Sequence, residues 1–194
     1  LCASDLNAID GKRKLVPFPA VIGHEASGVV IEVGPNVNGI NAGDHVVMSI
    51  VPNCGECEWC KKGVPNFCTT AGNAMWEGGL FDKSSRLSEN GAKINQFLCV
   101  SSFAEYAVVP ASGAVVIPKE MPLDRAALLS CAVLTGYGAV VNTAKVKAGS
   151  SVAVANGRRV EDVEPSSSGG GTERPVDERD EGHRRVAQAG SQRQ

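Results

Sequence analysis

The chain has 194 residues, of which 43% are apolar, 21% charged and 5% aromatic, and its formal net charge is −2. That length fits one domain, or one domain and part of a second, with enough apolar content for a core. Near-neutral charge leaves no electrostatic footprint for nucleic acid or anionic lipid, and no apolar run reaches the ~20 residues of a membrane-crossing helix.

The sequence opens on Leu1-Cys2-Ala3-Ser4-Asp5 without a secretory signal, so it reads as a piece of a longer, cytoplasmic protein. Residues 29–33 form a short apolar run closed by Gly34-Pro35-Asn36, and Gly43-Asp44 turns into a second strand over 45–50. Residues 103–109 partly alternate before Pro110, and 114–117 precede Pro118, giving two further strands. Helices come late: Asp124 opens one that runs to Leu129, and 137–145 form another before Gly149. Residues 151–154 then start a new strand. The fold class is therefore mainly β with short helices (α+β).

Composition breaks near Val154. Residues 1–154 hold 9 Lys, 3 Arg, all seven Cys and every aromatic side chain. Residues 155–194 hold 7 Arg, no Lys, 8 acidic residues and no Cys, Leu, Ile, Met or aromatic residue. Such a stretch buries too little apolar surface to offset its ordering entropy, so a disordered tail containing a solvated His183 is expected there.

Seven cysteines, without secretory evidence, favour thiolate–metal chemistry over a disulfide framework. Cys54, Cys57, Cys60 and Cys68 form C-x2-C-x2-C-x7-C within fifteen residues. Four soft thiolates at that density can close a tetrahedron around Zn²⁺ at ~2.3 Å, with no position left for substrate. The site is expected to be structural and to hold a lobe over residues 53–69; free thiols or disulfides are the other reading. Trp59 and Trp76 are expected to cover the lobe and the loop after it. Cys99 reads as a small buried hydrophobe and His45 as an ordinary half-buried residue.

Three further segments give the scattered candidates a context. Gly23-His24-Glu25-Ala26-Ser27-Gly28, with Gly34 six residues on, matches a zinc signature, and Cys2-Ala3-Ser4-Asp5 and Ala126-Ala127-Leu128-Leu129-Ser130-Cys131-Ala132-Val133-Leu134-Thr135-Gly136-Tyr137-Gly138 flank it in chain order. Together with the quartet they resemble the zinc-dependent medium-chain alcohol dehydrogenases, over residues 1 to about 154. The resemblance implies an incomplete GroES-like β-barrel catalytic domain over 1–149 and, at 150–154, the first strand of a nucleotide-binding domain. It also implies two zinc ions, one structural on the quartet and one catalytic on Cys2, His24 and Cys131. Asp5 would hydrogen-bond the far ring nitrogen of His24, and Glu25 would stand behind the metal as an acidic neighbour. Ser4 would accept the substrate proton; many members pass it to a histidine where this chain has Asn7, so the relay onward must differ. Ile50 would line the substrate pocket. The activity implied is hydride exchange between a primary or secondary alcohol, or its aldehyde or ketone, and NAD(P), in a homo-oligomer without nucleic-acid or membrane partners.

The glycine-rich G-x-G-x-x-G turn that follows such a strand in the family is not found after Val154, where Ala155-Asn156-Gly157-Arg158-Arg159-Val160 stands. The polypeptide as written is therefore expected not to turn over alcohols alone, and a shifted reading frame or aberrant joining would account for the break. The rival reading is a truncated, non-catalytic module in which only the quartet holds zinc. A nucleic-acid zinc ribbon fits poorly, since Lys61 and Lys62 are offset by Glu56 and Glu58.

Overall fold

The computed structural model describes residues 1–155 and 185–188. The chain divides into two compact units, Leu1–Leu134 and Thr135–Gln194.

The first unit begins with a helix, α1 (Ala3–Ile9), whose first turn carries Asp5. Two three-stranded sheets follow. In one, β1 (Ala20–Val21) runs parallel to β5 (Ala92–Gln96), and β5 pairs antiparallel with β4 (Leu87–Glu89). Asn90-Gly91 joins β4 to β5, both residues at positive φ (51° and 80°), the backbone a tight hairpin requires. In the other, β2 (Ala26–Val29), β3 (His45–Met48) and β6 (Ala114–Ile117) are antiparallel in that order, with Val46 and Val47 buried. Between β3 and β4 lie α2 (Glu58–Lys61) and α3 (Thr69–Glu77). After β6 come α4 (Leu123–Ala126), a 3₁₀ turn (Ala127–Ser130) and α5 (Ala132–Gly138).

Several expected elements move. The strand expected at 29–33 lies at Ala26–Val29, because its register is set by β3: Val29 faces His45, and the pairing ends at the turn where Gly43 donates to the Val30 carbonyl. Ile31 and Val33 are consequently exposed. Residues 103–109 are not a strand; among the described residues nothing forms a ladder with them, and Phe103, Tyr106 and Val108 face solvent. The helix expected from Asp124 to Leu129 starts at Leu123 and tightens into 3₁₀ geometry after Ala126. The helix expected at 137–145 begins earlier, at Ala132, and gives way to a π turn at Ala139–Thr143.

The second unit contains that turn and β7 (Val152–Ala155), which pairs antiparallel with β8 (Arg185–Gln188). The remainder of the expected tail, His183 included, lies outside the described residues. No single helix among the described residues is long and apolar enough to cross a membrane.

Phe97 sits at the centre of the first unit. It is fully buried with Ala8 of α1 and Val16, while a second cluster gathers Ala74 of α3, Leu80 and Cys99. A tight turn joins the two, with Leu98, Cys99 and Ser101 all at positive φ (53°, 57° and 53°). Left-handed backbone at a non-glycine residue costs about 1–3 kcal/mol and persists only where neighbours fix it. Here Ser101 does so: its hydroxyl accepts from the Phe97 amide at 2.7 Å and donates to the Val21 carbonyl at 2.7 Å. Cys99 donates to the Gly79 carbonyl at 3.4 Å, and burial pushes its thiol up to about 11. Truncating Phe97 to Ala removes the ring shared by α1 and β1 and is expected to cost about 3–5 kcal/mol in denaturant unfolding. A loss below ~1 kcal/mol would show that this ring is not central to the core.

Candidate metal centre

The cysteine lobe is held on the β2–β3–β6 sheet by its flanks. The Ser49 amide donates to Gly113 at 2.6 Å, and Asn53 donates to the Ser112 hydroxyl at 3.1 Å, beside buried Pro52. Within the lobe the four sulfurs of Cys54, Cys57, Cys60 and Cys68 all lie within 4.8 Å of one another. Cys57 caps α2 and Cys68 caps α3, so two of them sit at helix N-termini, where the backbone favours a thiolate. Backbone amides point at the sulfurs: Cys57 donates to Cys54 Sγ at 3.3 Å, while Cys54 and Ala71 each donate to Cys68 Sγ at 3.4 Å. The backbone at Cys60 brings the Cys57 thiol down to about 5, and hydrogen bonding led by Thr70 lowers that of Cys54. Desolvation, then the neighbouring Cys57 sulfur, pushes Cys60 up to about 11. A cluster in which one thiolate raises the cost of the next is suited to a divalent cation. Trp59 lies over this lobe, tilted on Phe67 at 5.6 Å, whereas Trp76 at the end of α3 is 61% exposed.

The second cluster is assembled from three distant parts of the chain. Cys2 is the N-cap of α1, His24 lies in the link from β1 to β2, and Cys131 ends the 3₁₀ turn before α5. The Cys2 and Cys131 sulfurs and a His24 ring nitrogen all lie within 4.8 Å of one another.

Asp5, fully buried, fixes two of the three. Its Oδ2 accepts from the Cys2 amide at 2.8 Å, and its Oδ1 accepts from the Gly23 amide at 3.1 Å and lies 3.0 Å from His24 Nδ1. A carboxylate only accepts, so this contact puts the ring proton on Nδ1 and leaves the Nε2 lone pair bare. Phe97 meets the His24 ring edge-on at 5.7 Å and 73°. His24 is 1% exposed, and its Nε2 has no hydrogen-bond partner among the described residues. An orphaned buried nitrogen is costly, and an imidazole that carries one and joins a 4.8 Å cluster with two thiols has the chemistry of a metal ligand.

Gly23 makes the approach possible. Its φ of +93° turns the chain into His24, and a Cβ there would stand 2.4 Å from the Phe103 ring and 2.8 Å from the Phe103 amide nitrogen.

Cys131 is placed by two contacts near the start of β2. Glu25 Oε1 accepts from the Ala132 amide at 3.2 Å. The buried Ser130 hydroxyl accepts from the Ala26 amide at 3.1 Å and donates to the Ala26 carbonyl at 2.9 Å. Neither Ser130 nor Phe97 stands out in the sequence. The Ser4 hydroxyl lies 4.0 Å from Cys2 Sγ. Asn7 is half-buried on α1. Ile50, just past β3, is half-buried, but it lines neither the groove of about 360 Å³ between Val51, Phe67 and Trp76 nor the cavity of about 300 Å³ beside Glu25 and Phe103. His45 faces Val29 and Ile117 in its sheet and joins neither cluster.

Residues 1–119 match the family model described as the alcohol dehydrogenase GroES-like domain. The chain belongs to that family. Its curated relatives include the class-3 alcohol dehydrogenase of Caenorhabditis elegans, 44% identical over 154 residues, which cover 79% of this chain and 40% of that protein. They also include an Escherichia coli S-(hydroxymethyl)glutathione dehydrogenase, 40% identical over 79% of this chain and 42% of that protein. The chain thus spans about two-fifths of the length of these relatives. Among solved structures, the alcohol dehydrogenase zinc-binding domain protein of Burkholderia ambifaria superposes with a TM-score of 0.70 at 40% identity, over 78% of this chain and 41% of that one. Benzyl alcohol dehydrogenase of Acinetobacter calcoaceticus gives 0.63 at 37% identity, over 78% and 40%. This family membership agrees with the GroES-like fold that the sequence motifs implied.

In this family member Asp5 serves three N–H donors with two oxygens, a task that an amide cannot repeat, because its NH₂ must face at least one of them. Asp5→Asn is therefore expected to lower the unfolding free energy by roughly 1–3 kcal/mol, read from the denaturant midpoint. A midpoint equal to that of the parent chain would contradict the triple contact.

Proposed function

We propose that this chain forms the zinc-binding catalytic part of an NAD(P)-linked alcohol dehydrogenase. Cys2, His24 and Cys131 hold its catalytic zinc, and Cys54, Cys57, Cys60 and Cys68 hold a structural one. The observation that carries this reading is a His24 ring nitrogen within 4.8 Å of both the Cys2 and Cys131 sulfurs, on a buried imidazole whose Nε2 has no hydrogen-bond partner among the described residues. The donor set fits: two thiolates and one neutral imidazole are ligands zinc takes in open, three-residue sites, for which alcohol dehydrogenase is itself the standard example. When bound, such a zinc supplies Lewis acidity to an alcohol or carbonyl oxygen.

The chain's own residues do the rest. Asp5 orients His24 and fixes its tautomer. Ser4, close to the Cys2 sulfur, offers a hydroxyl that can accept the substrate proton and pass it on. Asn7 does not titrate near neutrality, so the proton leaves Ser4 by another route, which water at the half-exposed end of α1 supplies. Glu25 acts through the Ala132 amide, behind the metal, and keeps the Cys131 segment against His24. Ile50 belongs to the apolar wall of the substrate site in this reading, on the strength of the family resemblance.

The substrate class is a primary or secondary alcohol or the matching aldehyde or ketone. The names of the two curated relatives, one an alcohol dehydrogenase and one acting on S-(hydroxymethyl)glutathione, support that breadth. Cytoplasmic location and homo-oligomeric assembly go with the same reading.

Metal analysis tests it. The purified chain is expected to carry two zinc ions, and Cys2→Ser is expected to reduce the count to one while Cys54→Ser destabilises the lobe. One zinc per parent chain, unchanged by Cys2→Ser, would overturn the catalytic reading and leave a structural zinc module.

A further inference from the structure

The Cys131 sulfur has no local reason to face His24. It follows a short 3₁₀ turn, its own backbone (φ −141°, ψ −61°) belongs to no regular element, and more than a hundred residues separate it from the histidine. What brings the segment there is a side chain acting as a strand.

Among the described residues β2 pairs only with β3. Ala26 starts it, and Ser130 meets both of its backbone groups: the one hydroxyl accepts from the Ala26 amide at 3.1 Å and donates to the Ala26 carbonyl at 2.9 Å. Ser130 is 1% exposed and Ala26 8%, so water does not compete for these bonds. A hydroxyl can do this because it is donor and acceptor at one atom. The geometry ties the residue before Cys131 to the residue two past His24.

We propose that Ser130 is a positioning residue of the metal centre: its hydroxyl, bonded to both backbone groups of Ala26, locks the Cys131 turn onto the strand edge beside His24 and so sets the third ligand. The proposal rests on the reading of Cys2, His24 and Cys131 as a metal site. Glu25, bonded to the Ala132 amide, holds the other side of Cys131, so the cysteine is held on both sides. Without the hydroxyl, the Ala26 amide and carbonyl lose their shared partner and the turn is free to move away from the strand edge. The centre would then keep two good ligands and a poorly placed third.

The test is cobalt substitution of the full chain with zinc left on the quartet, followed by the thiolate-to-cobalt charge-transfer absorption. Ser130→Ala is expected to weaken Co²⁺ binding at this site by roughly 10–100-fold and to reduce the thiolate band toward that of Cys131→Ser. Ser130→Thr, which keeps the hydroxyl, is expected to restore both. A cooperative denaturant transition like that of the parent chain serves as the record of folding. Should the alanine chain lose it, Ser130→Gly is the second variant, and the same weakening is expected of it. Parent-like affinity and band in a folded Ser130→Ala or Ser130→Gly chain would overturn the Ser130 proposal alone. A parent chain with no cobalt band sensitive to Cys131→Ser would overturn the metal-site reading, and this proposal with it.

Discussion

One carboxylate organises the centre. Asp5 receives the amide of Cys2, the amide of Gly23 and the Nδ1 side of His24, and it does so without solvent contact. A buried charge of this kind is tolerable only when it is well bonded, and here the bonds are to the groups that carry two of the three metal-ligand candidates. Helix α1 and the β1–β2 link, distant in sequence, are therefore fixed to one another at the point where a sulfur and an imidazole must meet. Removing the charge would loosen both arms at once, which is why stability and ligand geometry are coupled in this unit.

The rest of the first unit can be read as support for that meeting. His24 sits where the chain leaves the β1–β5–β4 sheet and enters the β2–β3–β6 sheet, so both sheets determine its position. Gly23 supplies the positive φ needed for the crossing, in a space closed by Phe103. Phe97 packs against the edge of the imidazole and is itself held by the left-handed turn that Ser101 locks. The cysteine lobe is organised differently. Its four sulfurs come from fifteen consecutive residues, accept backbone amides and need little from the core, consistent with a site that fixes local structure rather than reacting.

What the sequence made legible followed from how local each signal is. The quartet and the Gly23-His24-Glu25 segment carry their meaning within a few residues, and Cys2 and Cys131 become readable through the same family resemblance. The strands were less legible, because pairing is decided by partners far along the chain. Residues 103–109 alternate as a strand should and find no partner among the described residues, while Ala20–Val21 pairs with β5 although two residues give no pattern to detect. The run at 29–33 is apolar enough for a strand, yet register with His45 ends the ladder at Val29. Helix α1 is short and rests on Asp5 and burial of Ala8 rather than on periodicity. Ser130 was invisible for the simplest reason: its partner, Ala26, lies 104 residues away.

The proposed function has one requirement, that two sulfurs and one imidazole share a single ion, and the candidate ligand atoms of Cys2, His24 and Cys131 lie within 4.8 Å of one another. Anomalous diffraction at the zinc edge, on crystals of the full chain, addresses that requirement directly. A peak about 2.0–2.1 Å from His24 Nε2 and about 2.3 Å from the sulfurs of Cys2 and Cys131 is the expected result. Density confined to the quartet, with His24 Nε2 bonded to water or to protein instead, would contradict the account.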